Sequence, residues 1–283
     1  MEILNFVKMQ GIGNDFVMVD ALAEPTNFAD LGELASFVCD RRRGAGGDGL
    51  ILIERGDVAP FRMRMFNPDG SESEMCGNGL RCFGRLIKDR GYVQAEQTTV
   101  ETGAGVLELQ FLSDGLIRIN MGKARLTRGE IGILGEPSST FQESKIPEGY
   151  LGTAVSMGNP HVVIFVDDVS KVDLSAIGPT LEIDPQFINR TNVHFVQIVD
   201  RTHLIQRTWE RGAGITLACG TGACACGVAA FITGRADRTV DIKLPGGPLR
   251  IEYLEDGSVF MTGPATVVFE GTFDNLRRRS TLN

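Results

Sequence analysis

SEMCGNG (residues 73–79) and LACGTG (217–222) decide how this chain is read, because each sets a cysteine before a glycine, a small polar residue and a second glycine. The two cysteines, Cys76 and Cys219, are 143 positions apart. The same shift carries Arg64 to Arg207, Phe66 to Trp209, Gly77 to Gly220, Gly79 to Gly222 and Gly91 to Gly234. Further out, GNDFVMVD (13–20) matches GNPHVVIFVD (158–167) and DGLIRINMG (114–122) matches DGSVFMTG (256–263), at offsets that drift as loop insertions would make them. Such a pattern is two copies of one structural unit rather than a solenoid of short repeats.

Within each copy, short alternating or β-branched runs dominate, separated by Gly, Asp and Asn. In the first they are DFVMVDAL, GLILIERG, FRMRMF, TTVET, GVLELQFL and GLIRINM; in the second, HVVIFVDD, TNVHFVQIV, HLIQRTWE, RTVDIKL, LRIEYL and SVFMTG. Helices are expected over ADLGELASFVCDRR, over DLSAIGPTLE and directly after each CGxG. After Cys76, Leu80, Phe83 and Ile87 share one helical stripe and Gly91 is a stop signal. After Cys219, ACACGVAAFITGR is small or apolar on every side, as a fully buried helix would be, and closes at Gly234. The expected fold is therefore mixed α/β (α+β): two similar, pseudo-symmetric domains, each a curved, mostly antiparallel sheet around a central helix. The domains are placed at 1–120 and 121–264, with 265–283 packing back on the first and a polar, Gly- and Pro-rich boundary zone at 122–150. The copies are expected to face each other, with the active site in the cleft between them.

The chain has 283 residues, 42% hydrophobic and 23% charged, enough for two halves that each bury a core without disulfide or metal staples. Its net charge is −8, and the basic clusters Arg41-Arg42-Arg43 and Arg277-Arg278-Arg279 lack interleaved aromatics, so they read as a solvated face and a tail and nucleic acid is not an expected partner. No secretory signal is read in MEILNFVKMQ and no apolar run is long enough to span a bilayer, which makes a cytoplasmic location the expectation and a membrane partner not one. The six cysteines do not form a disulfide framework. Cys39 and Cys82 read as core residues, and Cys224 and Cys226 as small packing residues of the buried helix; the spacing CTGACAC is unlike a zinc site and no metal ligand set is expected.

A cysteine before GxG at a helix start has a chemical use. Unpaired N–H groups and a partial positive charge there bind a carboxylate and favour thiolate over thiol, while glycine lets a ligand approach the backbone. Two such cradles on one ligand would place a sulfur on each side of one carbon. A thiolate could then take a proton from one face of a stereocentre and a thiol return one to the other, inverting configuration without nicotinamide, pyridoxal phosphate or metal. A non-catalytic thiol-redox or ligand-binding protein is the competing reading, and it predicts a stable Cys76–Cys219 disulfide. An amino-acid racemase of the proline racemase type is a third.

Together with KMQGIGNDFVMVD, FNPDGSE, MGNPH, RTNVHF and WERGAG, the segments MCGNG and ACGTG resemble diaminopimelate epimerase from about Lys8 to Gly263. The resemblance implies two similar α/β domains and a cofactor-independent interconversion of LL- and meso-diaminopimelate, in lysine and peptidoglycan-precursor synthesis, by a homodimer. It implies Cys76 and Cys219 as the acid and base, with His161 and Glu210 influencing their protons. Substrate contacts carry over to Asn14, Asn67, Asn159, Asn192, Glu210 and Arg211, and to the backbone at Gly77, Asn78, Gly220 and Thr221. Adjacent Glu210 and Arg211 also suit the ammonium and carboxylate of a second amino-acid end. The chain departs from relatives at Gly49, where some carry glutamine.

Overall fold

GLILIER is apolar at successive positions because its strand is covered on both faces, and that double cover organises each half of the chain. The computed structural model describes residues 3–25 and 28–274. It divides into two units, Met1–Ile119 with Pro264–Asn283, and Asn120–Gly263.

The first unit runs β1 (Ile3–Gly11), β2 (Asn14–Asp20), α1 (Leu31–Cys39), β3 (Gly49–Arg55), β4 (Phe61–Phe66), β5 (Glu72–Ser73), α2 (Gly77–Asp89), β6 (Gln97–Thr102), β7 (Gly105–Phe111) and the start of β8 (Ile117–Lys123). β1 pairs antiparallel with β2, β2 parallel with β3, β3 antiparallel with β4, β4 parallel with β6, and β6, β7 and β8 form an antiparallel meander.

The second unit repeats this plan. It contains α3 (Arg128–Ile131), β9 (Ser144–Lys145), β10 (Leu151–Ser156), β11 (Pro160–Phe165), α4 (Leu174–Glu182), β12 (Asn192–Ile198), β13 (His203–Glu210), β14 (Gly214–Thr216), α5 (Gly220–Ile232), β15 (Thr239–Leu244), β16 (Gly247–Tyr253) and β17 (Ser258–Gly263). β10 through β17 reproduce the pairing of β1 through β8: β10–β11 antiparallel, β11–β12 parallel, β12–β13 antiparallel, β13–β15 parallel and β15–β16–β17 antiparallel. Residues 122–150 belong to this unit. β18 (Thr266–Asp274) returns to the first unit and lies antiparallel to β1, with a register break between Lys8 and Met9. The cluster Arg277-Arg278-Arg279 lies outside the described residues.

Strand alternation sorts the side chains. Leu50 and Leu52 of β3, with Val17 and Val19 of β2, pack on Leu34, Ala35, Val38 and Cys39 of α1. Ile51 and Phe16 point the other way, to the first turn of α2, where Ile51 Cδ1 lies 2.6 Å from where a Cβ on Gly79 would be. In the second unit Val162, Ile164, Val193 and Phe195 pack with Leu174 and Leu181 of α4, and the opposite face meets α5, which touches β10 to β13 and β15 to β17. Leu80, Phe83 and Ile87 of α2 are fully buried, each contributing roughly 1.5–3 kcal/mol over an exposed side chain.

Helix ends follow local chemistry. Asp30 caps α1 by accepting from Glu33 N at 3.0 Å, and Asp173 caps α4 by accepting from Ala176 N at 3.2 Å. α1 is shorter than ADLGELASFVCDRR because the Asp40 carboxylate accepts from the N–H groups of Arg42 and Arg43 (2.7 and 2.8 Å) and turns the chain. Arg41, Arg42 and Arg43 are exposed, as a solvated face would be, and Arg41 also pairs with Asp15 and Asp48. Gly91 and Gly234 end α2 and α5 at φ +75° and +73°, the left-handed region that glycine enters without strain. Among the described residues no helix is long and apolar enough to cross a membrane.

Candidate active site

Each CGxG cysteine occupies the position its sequence context implies. Cys76 and Cys219 are the extended residues immediately before α2 and α5, at φ/ψ of −136°/117° and −121°/103°, so the first-turn N–H groups of Gly77-Asn78-Gly79 and Gly220-Thr221-Gly222 follow each sulfur directly. Both helices lack an acidic residue in the first turn. All six cysteines are free thiols; Cys76 is half-buried and the other five are buried.

Around Cys76, the parity of β2 turns Asn14 to the α2 side. The Cys76 thiol donates to Asn14 Oδ1 at 3.6 Å, and Asn78 Nδ2 donates to the same oxygen at 3.1 Å. Asn14 Nδ2 donates to Asp48 Oδ2 at 2.6 Å, and Asp48 Oδ1 accepts from Arg41 at 2.8 Å. On the opposite parity, Asp15 is held by Lys8 at 2.5 Å and by Arg41 at 2.7 Å. Burial opposes its ionisation, but the hydrogen bonds and charges of Arg41 and Lys8 outweigh that and hold its carboxyl down at about 2. Asn67 stands apart from this cluster, in the turn after β4, where its Nδ2 donates to Ser71 Oγ at 3.0 Å. At Gly49, the departure noted above, an added Cβ would stand 3.0 Å from both Met65 Cε and Phe66 O.

Around Cys219 the neighbours are different. The Glu210 carboxylate, which accepts from the Thr216 hydroxyl, lies against it, and Thr221 Oγ1 is 3.9 Å from the sulfur. The helix start alone would favour a thiolate. Here burial first, and then the charge of Glu210, push the Cys219 thiol well above its ordinary range despite the opposing Gly222 N–H and Thr221 hydroxyl. Burial and Glu210 thus favour the protonated form of Cys219 against the pull of the helix terminus.

His161 and His194 project from β11 and β12 on the α5 side. His161 Nε2 bonds Asn159 Oδ1 at 2.9 Å, His161 Nδ1 bonds His194 Nε2 at 2.9 Å, and His194 Nδ1 bonds Thr208 Oγ1 at 2.9 Å. Gln206 Nε2 completes the row, 2.9 Å from Thr208 Oγ1. Burial lowers both imidazoles, His194 to about 3, so both are neutral. One ring nitrogen from each histidine and Cys219 Sγ lie within 4.8 Å of one another. Such an N,N,S group could hold a metal ion, although the expectation was of no ligand set; an ion would have to displace the imidazole bonds just described. The sequence left His194 without a role and did not single out Thr208 or Gln206, since nothing linear joins 161, 194 and 208. The parallel register His161↔Asn192 and the antiparallel register His194↔Thr208 join them. The equivalent places in the first unit hold apolar Phe16, Ile51 and Met65.

Asn192, Glu210 and Arg211 come together at the end of β13. Asn192 Oδ1 accepts from Arg211 N at 3.0 Å, and Arg211 Nη1 donates to Asn189 O at 2.8 Å. Glu182, not read from the sequence, braces this turn by accepting from Trp209 Nε1 at 2.7 Å and Gly212 N at 3.1 Å.

A family model described as diaminopimelate epimerase matches residues 6–127 and 153–268. A diaminopimelate epimerase from Moorella thermoacetica is 48% identical over 277 residues, covering 95% of this chain and 99% of that protein. One from Methanococcus maripaludis is 44% identical over 278 residues, covering 96% and 100%. Among solved structures, a phenazine biosynthesis protein of the PhzF family from Bacillus anthracis has a TM-score of 0.71 at 18% identity, covering 97% of this chain and 100% of that one. A hydroxyproline epimerase from Agrobacterium vitis has 0.64 at 12%, covering 97% and 94%. At those identities the structural likeness concerns the fold alone.

Proposed function

This chain belongs to the diaminopimelate epimerase family, and from that membership we propose that it interconverts LL- and meso-diaminopimelate, with Cys76 and Cys219 as the proton-transferring pair. The observation that carries the reading is the equivalence of the two cysteines: each immediately precedes the buried helix of one of two matched units, and each lies inside a range matched by the family model.

In this reaction one sulfur, as thiolate, takes the α-proton, and the other, as thiol, returns a proton to the opposite face. No oxidation state changes. The N–H groups at Gly77-Asn78 and Gly220-Thr221 receive the carboxylate beside the reacting carbon and stabilise the charge that develops on it. Glu210 takes the Cys219 proton in this scheme, a role supported by its charge acting on that sulfur. His161, neutral and bonded to Asn159, fixes the orientation of that asparagine's amide toward the substrate. Asn67, Asn192, Glu210 and Arg211 serve the distal amino-acid end, which proline lacks. The reaction belongs to lysine and peptidoglycan-precursor synthesis, in the cytoplasm, in a homodimer.

A panel of LL-diaminopimelate, proline, 4-hydroxyproline, glutamate and histidine in heavy water, scored for α-hydrogen exchange, tests the substrate. Exchange confined to diaminopimelate is expected; exchange with proline and none with diaminopimelate would overturn the assignment.

A further inference from the structure

We propose that Asp48 is a positioning residue for the reaction: by accepting from the Asn14 side-chain amide it turns the Asn14 oxygen onto Cys76 and holds that sulfur as the protonated partner. A carboxylate paired with Arg41 only accepts, so the end of Asn14 that meets Asp48 Oδ2 at 2.6 Å must be its NH2. The Asp48 carboxylate is itself fixed, because Oδ2 also accepts from Asp15 N at 3.1 Å while Oδ1 receives Arg41 at 2.8 Å. The other end of Asn14 is then an oxygen, and Asn78 Nδ2, at 3.1 Å, donates to it and reinforces the same orientation.

That oxygen faces Cys76 Sγ at 3.6 Å. An S–H can donate to it; a thiolate would confront its lone pairs. With the amide reversed, an N–H would face the sulfur and favour the thiolate. Asp48 thus controls the Cys76 proton through Asn14. In the second unit Thr191 stands in the place of Asp48, immediately before the residue paired with β11. The other charged or titratable groups around this cluster are Arg81 and Cys82 on α2, Lys8 and Asp15 behind Asn14, and Arg41, which loses Asp48 as a partner in Asp48→Ala but keeps Asp15 in every variant below.

The proposal rests on Cys76 being one of the two reacting thiols, but its test needs no turnover. The rate of iodoacetamide labelling at Cys76, followed by mass mapping of its peptide, is measured against pH in the full chain, in Asp48→Ala and in Asp48→Asn. In Asp48→Ala the amide loses the bond that fixes its NH2 end and keeps only the Asn78 contact, and the midpoint falls by about one pH unit, roughly tenfold more thiolate at neutral pH. In Asp48→Asn the carbonyl oxygen still takes the Asn14 and Asp15 N–H groups, and the midpoint stays at the parent value. Equal falls in both variants would show that lost charge, not amide orientation, governs Cys76; no fall in either would remove Asp48 from any role there. Both results overturn the proposal. Should Asp48→Ala fail to fold, the Asn14 Nδ2 protons of the unaltered, 15N-asparagine-labelled chain decide it: slow exchange supports the bond to Asp48, and exchange as fast as in exposed asparagines refutes it. Epimerase assays are separate from all of these readouts, so a failed substrate assignment and a failed positioning role are told apart.

Discussion

Gly222→Ala places a methyl group against both the sulfur and the imidazole of the second unit's site. The new Cβ would lie 2.8 Å from His194 Nε2 and 2.9 Å from Cys219 Sγ, with His194 Cε1 closer still. His194 has nowhere to turn: its ring is fully buried and bonded at 2.9 Å to His161 on one side and at 2.9 Å to Thr208 on the other. Overpacking of this kind costs about 1–3 kcal/mol, against a helix-propensity gain of up to about 1 kcal/mol. A net loss of about 1–2 kcal/mol is expected in urea denaturation, with turnover falling by more than about tenfold because the reacting sulfur is displaced. The matched substitution Gly79→Ala is the control. Its Cβ meets the terminal methyl of Ile51 at 2.6 Å, then Phe16 at 3.5 Å and Cys76 Cβ at 3.6 Å, and a methyl can rotate aside. That variant should stay within about 1 kcal/mol of the parent. If Gly222→Ala proved as stable as Gly79→Ala, the packing of His194 against the α5 start would be refuted.

Three further outcomes follow from the charges and thiols. The Asp15 carboxyl is held at about 2, below its unfolded value, so its stabilisation is present above pH ~4 and is lost as pH falls through about 2; Asp15→Asn should flatten the urea midpoint between pH 4 and 2.5. For His161 and His194 the folded value lies below the unfolded one, so the unfolded chain takes up protons first and stability falls as pH drops below about 6.5, by ~1.4 kcal/mol per pH unit for each ring. Midpoints unchanged from pH 7 to 5, or imidazole NMR signals that titrate in that range, would contradict their burial as neutral rings. Burial pushes Cys39 and Cys82 up to about 12 and Cys226 well above its ordinary range, so limited alkylation at pH 7.5 should label half-buried Cys76 first; early labelling of Cys226 would be the contrary result.

The repeated CGxG and many of the strands were legible because they are local: short alternating or β-branched runs gave β2, β3 and β11 to β13, and glycine gave the stops at Gly91 and Gly234. β1 and β18 were not recognised as strands. β18 has five successive exposed residues at its start, so it lacks the alternation that marks a half-buried strand. Residues 73–79 and 217–222 pointed to both thiols, but the polar row from Gln206 through Thr208 and His194 to His161 depends on sheet register across three strands. Glu182 and Asp48 were illegible for the same reason: each acts on residues 27 or more positions away, reaching Trp209 and Asn14. The protonation of Cys219 is open in the sequence because the helix terminus is a local signal, whereas burial and Glu210 are tertiary ones.

The central claim is that two sulfurs move the α-proton, and isotope transfer tests it most directly. LL-diaminopimelate is incubated in heavy water with the unaltered chain, Cys76→Ser and Cys219→Ser, and deuterium is located in each isomer. The unaltered chain should give meso product carrying one α-deuterium, and both variants should lose epimerisation by several orders of magnitude. Epimerisation at parental rate by either variant, or product free of deuterium, would contradict the account.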